Sequence, residues 1–207
     1  EIKSNGIMPI VISKQHKNKS IFFSGRKVIL HIESAPMVSL LTLANSESHN
    51  FTAEILLRQS AKTWNPSKAS LQVMNWLKLI RIPVSNFSIV DGSGLSRDNK
   101  LSSLGIASLL WHMDNHRLSS IYQSSMAILG LRGTLLNYDQ NSDVKLRATF
   151  YGKTGTLSGV RAVSGIMDTK QGKKYISIIS NQAVDPDSSI LRILHAIDLS
   201  EHCDKFI

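Results

Sequence analysis

Apolar positions along this chain change period from one region to the next. Through residues 1–33, short β-branched runs at 7–12, 20–23 and 28–32 alternate with polar turns such as Ser24-Gly25, which predicts strands. After Ser34-Ala35-Pro36 the spacing becomes helical. Pro36 suits a first turn, with a helix over 37–45. Phe51, Ile55 and the Leu56-Leu57 pair repeat at helical spacing over 51–60. Pro66-Ser67 opens a third helix, with Leu71, Met74, Leu77 and Leu79-Ile80 expected on its buried side and Pro83 as its stop. Residues 87–90 read as a short strand before the turn Asp91-Gly92-Ser93-Gly94. Further helices are expected over 104–113 and 119–126.

The final third switches to strands over 150–157, 160–167 and 175–180. The turns Ser158-Gly159 and Lys170-Gln171-Gly172 separate them, which predicts an antiparallel meander. Asp185-Pro186-Asp187 then caps a last helix, with Ile190, Leu191, Leu194 and Ile197 on one face. Helices followed by a run of strands predict segregated α+β packing. Two regions are expected: 1–33, with the character of a β-rich domain's end, and 34–207, holding the helices and the meander.

Composition narrows the possible partners. The 207 residues are 42% hydrophobic, enough for one sizeable core. No apolar run approaches the roughly 18 residues a membrane helix needs, so no transmembrane segment is expected. The net charge of +9 fits an anionic partner such as a cell-wall polymer. The basic clusters lack interleaved stacking aromatics, so nucleic acid is not an expected partner. Cys203 is the only cysteine and the seven histidines form no ligand spacing, which leaves a cofactor or metal unsupported. His31, His112, His116 and His195 read as structural or surface residues.

The chemistry concentrates in Lys153-Thr154-Gly155-Thr156, which falls inside a predicted strand. A glycine there marks a place where another backbone comes close. The lysine and hydroxyl before it make an anion-binding pair. Ser48-His49-Asn50 is the only S-x-N in the chain, followed by Ala53-Glu54. Between these motifs lie Asp91-Gly92-Ser93-Gly94-Leu95-Ser96-Arg97, where Asp91 and Ser93 read as turn formers, and Leu129-Gly130-Leu131-Arg132-Gly133-Thr134-Leu135.

In these segments the chain resembles the serine penicillin-recognising enzymes, whose signature is S-x-x-K, S-x-N, K-T-G. More narrowly, it resembles the D-alanyl-D-alanine carboxypeptidase/endopeptidase family of low-molecular-mass penicillin-binding proteins. That family carries a D-G-S-G-L-S-R loop, an A-G-x-x-G-T-L segment and K-T-G-T-L-x-G-V, which residues 153–160 match. The resemblance runs from about 25 to 195. It implies a transpeptidase-like α+β fold and acyl transfer from D-Ala-D-Ala peptides of peptidoglycan to a serine, then to water. It also implies covalent inhibition by β-lactams and a place in the periplasm or cell envelope. Ser48, Asn50 and Lys153 would be catalytic: Ser48 carries the leaving-group proton, and Asn50 holds substrate and base in register. Lys153 and Thr154 would grip the substrate carboxylate, Gly155 would leave room for substrate, and the Thr156 N–H would be an oxyanion donor. His49 reads as a spacer.

The nucleophile of that signature is expected outside this chain. Ser24-Gly25-Arg26-Lys27 sits at a turn between expected strands, and Ser142-Asp143-Val144-Lys145 follows S-x-N, which is the wrong order. Both are chance matches to a short pattern. Residues 1–33 are then expected to be the tail of a β-rich domain inserted between S-x-x-K and S-x-N. Residues 34–207 would be the C-terminal part of the catalytic domain, with an unpaired sheet edge and no acylation by the chain alone. A β-lactamase, or a non-catalytic peptidoglycan-binding module, are the alternatives.

Overall fold

In a computed structural model, residues 33–200 are described, except 141 and 144. The strands expected over 7–12, 20–23 and 28–32 lie outside the described residues.

Three helices come first: α1 (Met37–Asn45), α2 (Asn50–Ser60) and α3 (Pro66–Leu79). Each boundary has a local cause. The Asn65 side chain accepts from Lys68 N at 3.0 Å, capping α3, and Pro66 needs no donor in the first turn. His49 caps α2, its Nδ1 accepting from Thr52 N at 3.3 Å. The imidazole so closes the helix N-terminus, more than the spacer role expected of it. After α3, Arg81 adopts φ 63°, a left-handed residue that ends the helix ahead of Pro83.

One face of α3 is corrected. Leu77 is buried, with Ala69 and Ser70, but Leu71 and Leu79 are exposed at 60% and 79%. Periodicity finds an apolar stripe without finding which part of it has a neighbour. The strand expected over 87–90 is a single antiparallel bridge, Ser88 to Lys100. The Asp91 loop takes over its hydrogen bonding, since Asn99 Oδ1 accepts from Val90 N at 2.7 Å.

Helices α4 (Ser103–Asp114) and α5 (Ser119–Ser124) lead into the sheet. Its strands are β1 (Ala127–Ile128), β2 (Thr149–Leu157), β3 (Val160–Thr169) and β4 (Gly172–Asn181), antiparallel and in the order β1-β2-β3-β4. The expected meander is present with one strand added. At two residues, β1 has no period of its own to read. Helix α6 (Pro186–Ser200) closes the described chain.

The pleat sends alternate side chains to opposite faces, and each face has its own core. Phe150, Val163, Met167 and Ile176 meet Ile190 and Leu194 of α6 on one side. Tyr151, Ile166 and Tyr175 meet Ile106 and Leu110 of α4 on the other. Each such side chain contributes about 1.5–3 kcal/mol relative to exposure. Polar ties hold the outer layers in register. Asp114 of α4 pairs with Lys173 at 2.6 Å and accepts from the Tyr175 hydroxyl at 2.8 Å. The buried Asp198 of α6 accepts from Arg147 N at 2.7 Å. The sheet is thus clamped between helices, and β2 carries the polar half of its length to the sheet's β1-side edge.

Candidate active site

The S-x-N and K-T-G segments, far apart in sequence, meet in space. Lys153 Nζ donates to Ser48 Oγ at 2.7 Å and to its neighbour's carbonyl, Thr154 O, also at 2.7 Å. Lys153 leaves the sheet on the Tyr151 side, buried enough that desolvation holds its ammonium below the ordinary lysine value of 10.5. Ser48 has φ 57°, a left-handed conformation rare for a residue with a Cβ. Ser48 sits where the α1–α2 turn runs into the capped start of α2. Such strain persists where surrounding structure imposes it, and it is concentrated at functional sites. Asn50 opens α2 and forms no side-chain hydrogen bond among the described residues.

The backbone of β2 is half paired. Tyr151 and Gly152 are matched to Ile128 and Ala127 of β1, and that pairing goes no further along β2. On the other side β2 is paired with β3 over its whole length. Phe150 O accepts from Leu129 N at 3.1 Å. Antiparallel alternation therefore turns the N–H and C=O of even-numbered residues toward the β1 side. Thr154 and Thr156 present their backbone groups at this open edge. Gly155 faces Ala162 of β3, where an added Cβ would stand 3.4 Å from Ala162 Cβ, an ordinary contact. Packing among the described residues does not demand that glycine.

Two further segments brace the motifs. In the Asp91 loop one carboxylate organises the backbone: Asp91 accepts from Gly94 N at 2.6 Å, Ser96 N at 2.8 Å and Asn99 Nδ2 at 3.1 Å. Burial raises its pKa, but these bonds to the charged form outweigh it and leave the carboxyl below its usual value. The turn-forming role expected of Asp91 and Ser93 is what their bonds show. Glu54 of α2 accepts from Gly92 N at 2.7 Å, and Arg97 donates to Ser158 O in the β2–β3 turn at 2.9 Å. A Cβ at Gly92 would come 2.7 Å from Leu57 Cβ, so the loop lies flat on α2 only with glycine there.

The other brace is the segment before β2. Gly133 has φ 67°, and a Cβ there would collide with Ser46 Oγ and O. Thr134 N donates to Ser46 O at 3.0 Å, and the Thr154 hydroxyl donates to Thr134 Oγ1 at 2.9 Å. Arg132 Nη2 donates to Ser124 O at 2.6 Å and Met126 O at 2.5 Å, fixing the loop. Sequence reasoning matched residues 129–135 to a family segment and gave Thr134 no role. A hydroxyl next to a glycine was the available signal.

Of the expected site residues, Ser48, Lys153 and Thr154 are directly linked, Asn50 flanks Ser48, and Gly155 and Thr156 continue the open edge. The S-x-x-K look-alike at 142–145 is not helical at its described residues. Lys145 is engaged by the Asp139 carboxylate at 2.9 Å. A groove of about 500 Å³, lined by Ile82, Trp111, His112 and Tyr175 among others, contains none of the motif residues. Among the described residues no group of His, Cys, Asp and Glu could hold a metal ion.

This arrangement of sheet, helices and facing hydroxyl and lysine is the fold of penicillin-recognising serine hydrolases. Penicillin-binding protein 4 from Haemophilus influenzae, solved with a bound β-lactam, is similar with a TM-score of 0.63 at 24% identity, over 81% of this chain and 41% of that one. The TLA-3 extended-spectrum β-lactamase is similar with a TM-score of 0.57 at 15% identity, over 81% of this chain and 63% of that one. A family model then gives the narrower class. Residues 4–199 match the D-Ala-D-Ala carboxypeptidase 3 (S13) family, and the chain belongs to it. Carboxypeptidase DacB of Mycolicibacterium smegmatis is 29% identical over 188 residues, 86% of this chain and 41% of that protein. D-alanyl-D-alanine carboxypeptidase DacB of Haemophilus influenzae is 28% identical over 79% of this chain and 37% of its own length. The chain thus spans about two fifths of the length of these relatives.

Proposed function

We propose that this chain is the C-terminal part of a serine-type D-Ala-D-Ala carboxypeptidase with D,D-endopeptidase capacity on peptidoglycan stem peptides. Residues 34–207 belong to its catalytic domain. The observation that carries this reading is the 2.7 Å bond between Lys153 and Ser48, which joins the S-x-N and K-T-G motifs into one wall.

The mechanism follows from what each group can do. The substrate lies along the open edge of β2 as an added strand. Lys153 and the Thr154 hydroxyl hold its terminal carboxylate by charge-assisted hydrogen bonds. Asn50 holds a substrate amide. A serine outside this chain, losing its proton to the lysine of the same S-x-x-K, attacks the carbonyl of the penultimate D-Ala, forming a C–O bond, with the oxyanion held at the Thr156 N–H. The C–N bond to the terminal D-Ala breaks as Ser48 passes a proton to the leaving amine; Lys153, bonded to the same oxygen, lowers the cost of that transfer. Water then hydrolyses the ester. A β-lactam has the same carboxylate and an amide that cannot leave, so it inhibits covalently. The enzyme works in the periplasm or cell envelope, where its substrate is. No helix among the described residues is long and apolar enough to cross a membrane.

Fluorescent penicillin tests the proposal. The full-length product of the reading frame should give a covalent, saturable band, and the 207-residue chain alone should give none. Labelling of the chain alone would remove the external nucleophile from the reading. A full-length product that binds peptidoglycan without labelling would make the protein a binding module, and rapid release of hydrolysed penicillin would make it a β-lactamase.

A further inference from the structure

The reading above gives Thr154 a hydroxyl that must point its proton at a carboxylate, yet in this structure that proton is committed elsewhere. Thr154 Oγ1 donates to Thr134 Oγ1 at 2.9 Å. We propose that Thr134 is a positioning residue for the carboxylate clamp: a hydroxyl that accepts from Thr154 in the geometry seen here and donates to it when an anion binds. This rests on the proposed function.

The geometry of Thr134 supports the role from both of its ends. Its backbone N–H is fixed on Ser46 O at 3.0 Å, two residues before Ser48. Ser46 is fully buried, and Gly133 lets the two backbones touch where a Cβ could not fit. Arg132, anchored on Ser124 O and Met126 O, holds the segment from its other side. The Thr134 side chain is thus presented by a braced turn, while its hydroxyl stays at an exposed position beside β2. The one residue thus ties the turn just before S-x-N, through its backbone, to K-T-G, through its side chain.

A threonine hydroxyl is one donor and two acceptor lone pairs, and its proton rotates. When a carboxylate arrives, Thr154 turns its O–H onto the anion. Its own oxygen is then free to accept, and the Thr134 O–H rotates to supply that bond. No heavy atom moves and every hydroxyl stays satisfied. The Thr134-to-Thr154-to-carboxylate chain also polarises the terminal donor, which strengthens its bond to the anion. A valine at 134 keeps the shape and the backbone bond to Ser46 but leaves Thr154 Oγ1 without its donor.

The test compares acylation of the full-length protein by a penicillin and by the methyl ester of its carboxylate. Losing one supporting hydrogen bond predicts that Thr134→Val lowers acylation efficiency with the free carboxylate by about 3- to 10-fold. The loss should lie in the binding constant, with less than about a 2-fold change for the ester and with recovery in Thr134→Ser. In a Thr154→Val background, Thr134→Val should have no further effect. Equal losses with acid and ester, or no loss with either, would overturn the role. So would additive losses in the double variant. Failure of the wild-type protein to be acylated would instead bring down the underlying reading, and this inference with it.

Discussion

Strand β2 is two strands in character. Its first half, Thr149 to Gly152, is paired with β3 throughout and meets the β1 segment from Phe150 to Gly152, and Phe150 at 1% exposure lies in the α6 core. Its second half, Lys153 to Leu157, is paired among the described residues with β3 alone and presents a lysine, two threonines and a glycine at an open edge. The backbone is continuous and the twist of the sheet passes through both. What differs is who satisfies the strand. Core and neighbours complete the first half; the second is left to be completed from outside. One half of the strand therefore answers to stability and the other to chemistry, and substitutions should separate along it.

The largest expected effect is on the structural half. Phe150→Ala removes a fully buried ring and should cost about 3–5 kcal/mol of unfolding free energy, read from denaturant midpoints. A loss under about 1 kcal/mol would mean that the α6 face is loosely packed and the two halves are not distinct. Next comes Lys153→Ala, which should cut acylation of the full-length protein by at least about 100-fold while the fold is kept. Unchanged acylation kinetics would remove Lys153 from the site. A comparable loss of stability would make the second half structural as well.

A finer test uses pH. Burial depresses the Lys153 pKa below 10.5, so the lysine loses its proton earlier in the folded protein than in the unfolded chain. Acylation that needs the ammonium should fall as pH rises through that lowered value, giving an alkaline limb below 10.5. The sign for stability is opposite. Between the lowered value and 10.5 the unfolded state binds more protons, so Lys153 adds stability as pH rises there and withdraws it as pH falls. Lys153→Arg should lift the activity limb to higher pH, since arginine stays protonated. The same limb in both proteins would assign the titration to another group.

Much of this division was legible in the sequence, and the reasons are specific. Strands 150–157 and 160–167 were legible from the turns that bound them, Ser158-Gly159 and Lys170-Gln171-Gly172, and not from alternation, because helices cover both faces of the sheet. Ile190, Leu191 and Leu194 mark the face of α6 because that helix has a single core to meet. The motifs were visible because carboxylate gripping and proton transfer demand particular residue types. What was not legible depends on neighbours that no local pattern encodes. Leu71 and Leu79 look like core on α3 and are exposed. His49 looks like filler between Ser48 and Asn50 and is the cap of α2. β1 is too short to carry a period, and it exists because Leu129 N finds Phe150 O. Thr134 was hidden for the same reason: its chemistry comes from a residue twenty positions on.

The smallest expected effect is the sharpest test of the division, at Gly155. A glycine in mid-strand is ordinarily a cost, because it carries more backbone freedom into the unfolded state and packs nothing. Here the fold gives no return for that cost. The backbone is not left-handed, and a methyl group would only touch Ala162. Gly155→Ala should leave stability unchanged or raise it by about 0.4–1 kcal/mol. If the open edge receives a substrate backbone, the same methyl stands beside its path, and acylation should fall even as the protein becomes no less stable. A loss of stability above about 1 kcal/mol would show that Gly155 belongs to the structural half. Unchanged acylation with unchanged stability would mean that nothing lies along this stretch of β2 during the reaction. The outcome that fits the division is a protein at least as stable and slower, because there the glycine is kept for a molecule other than this chain.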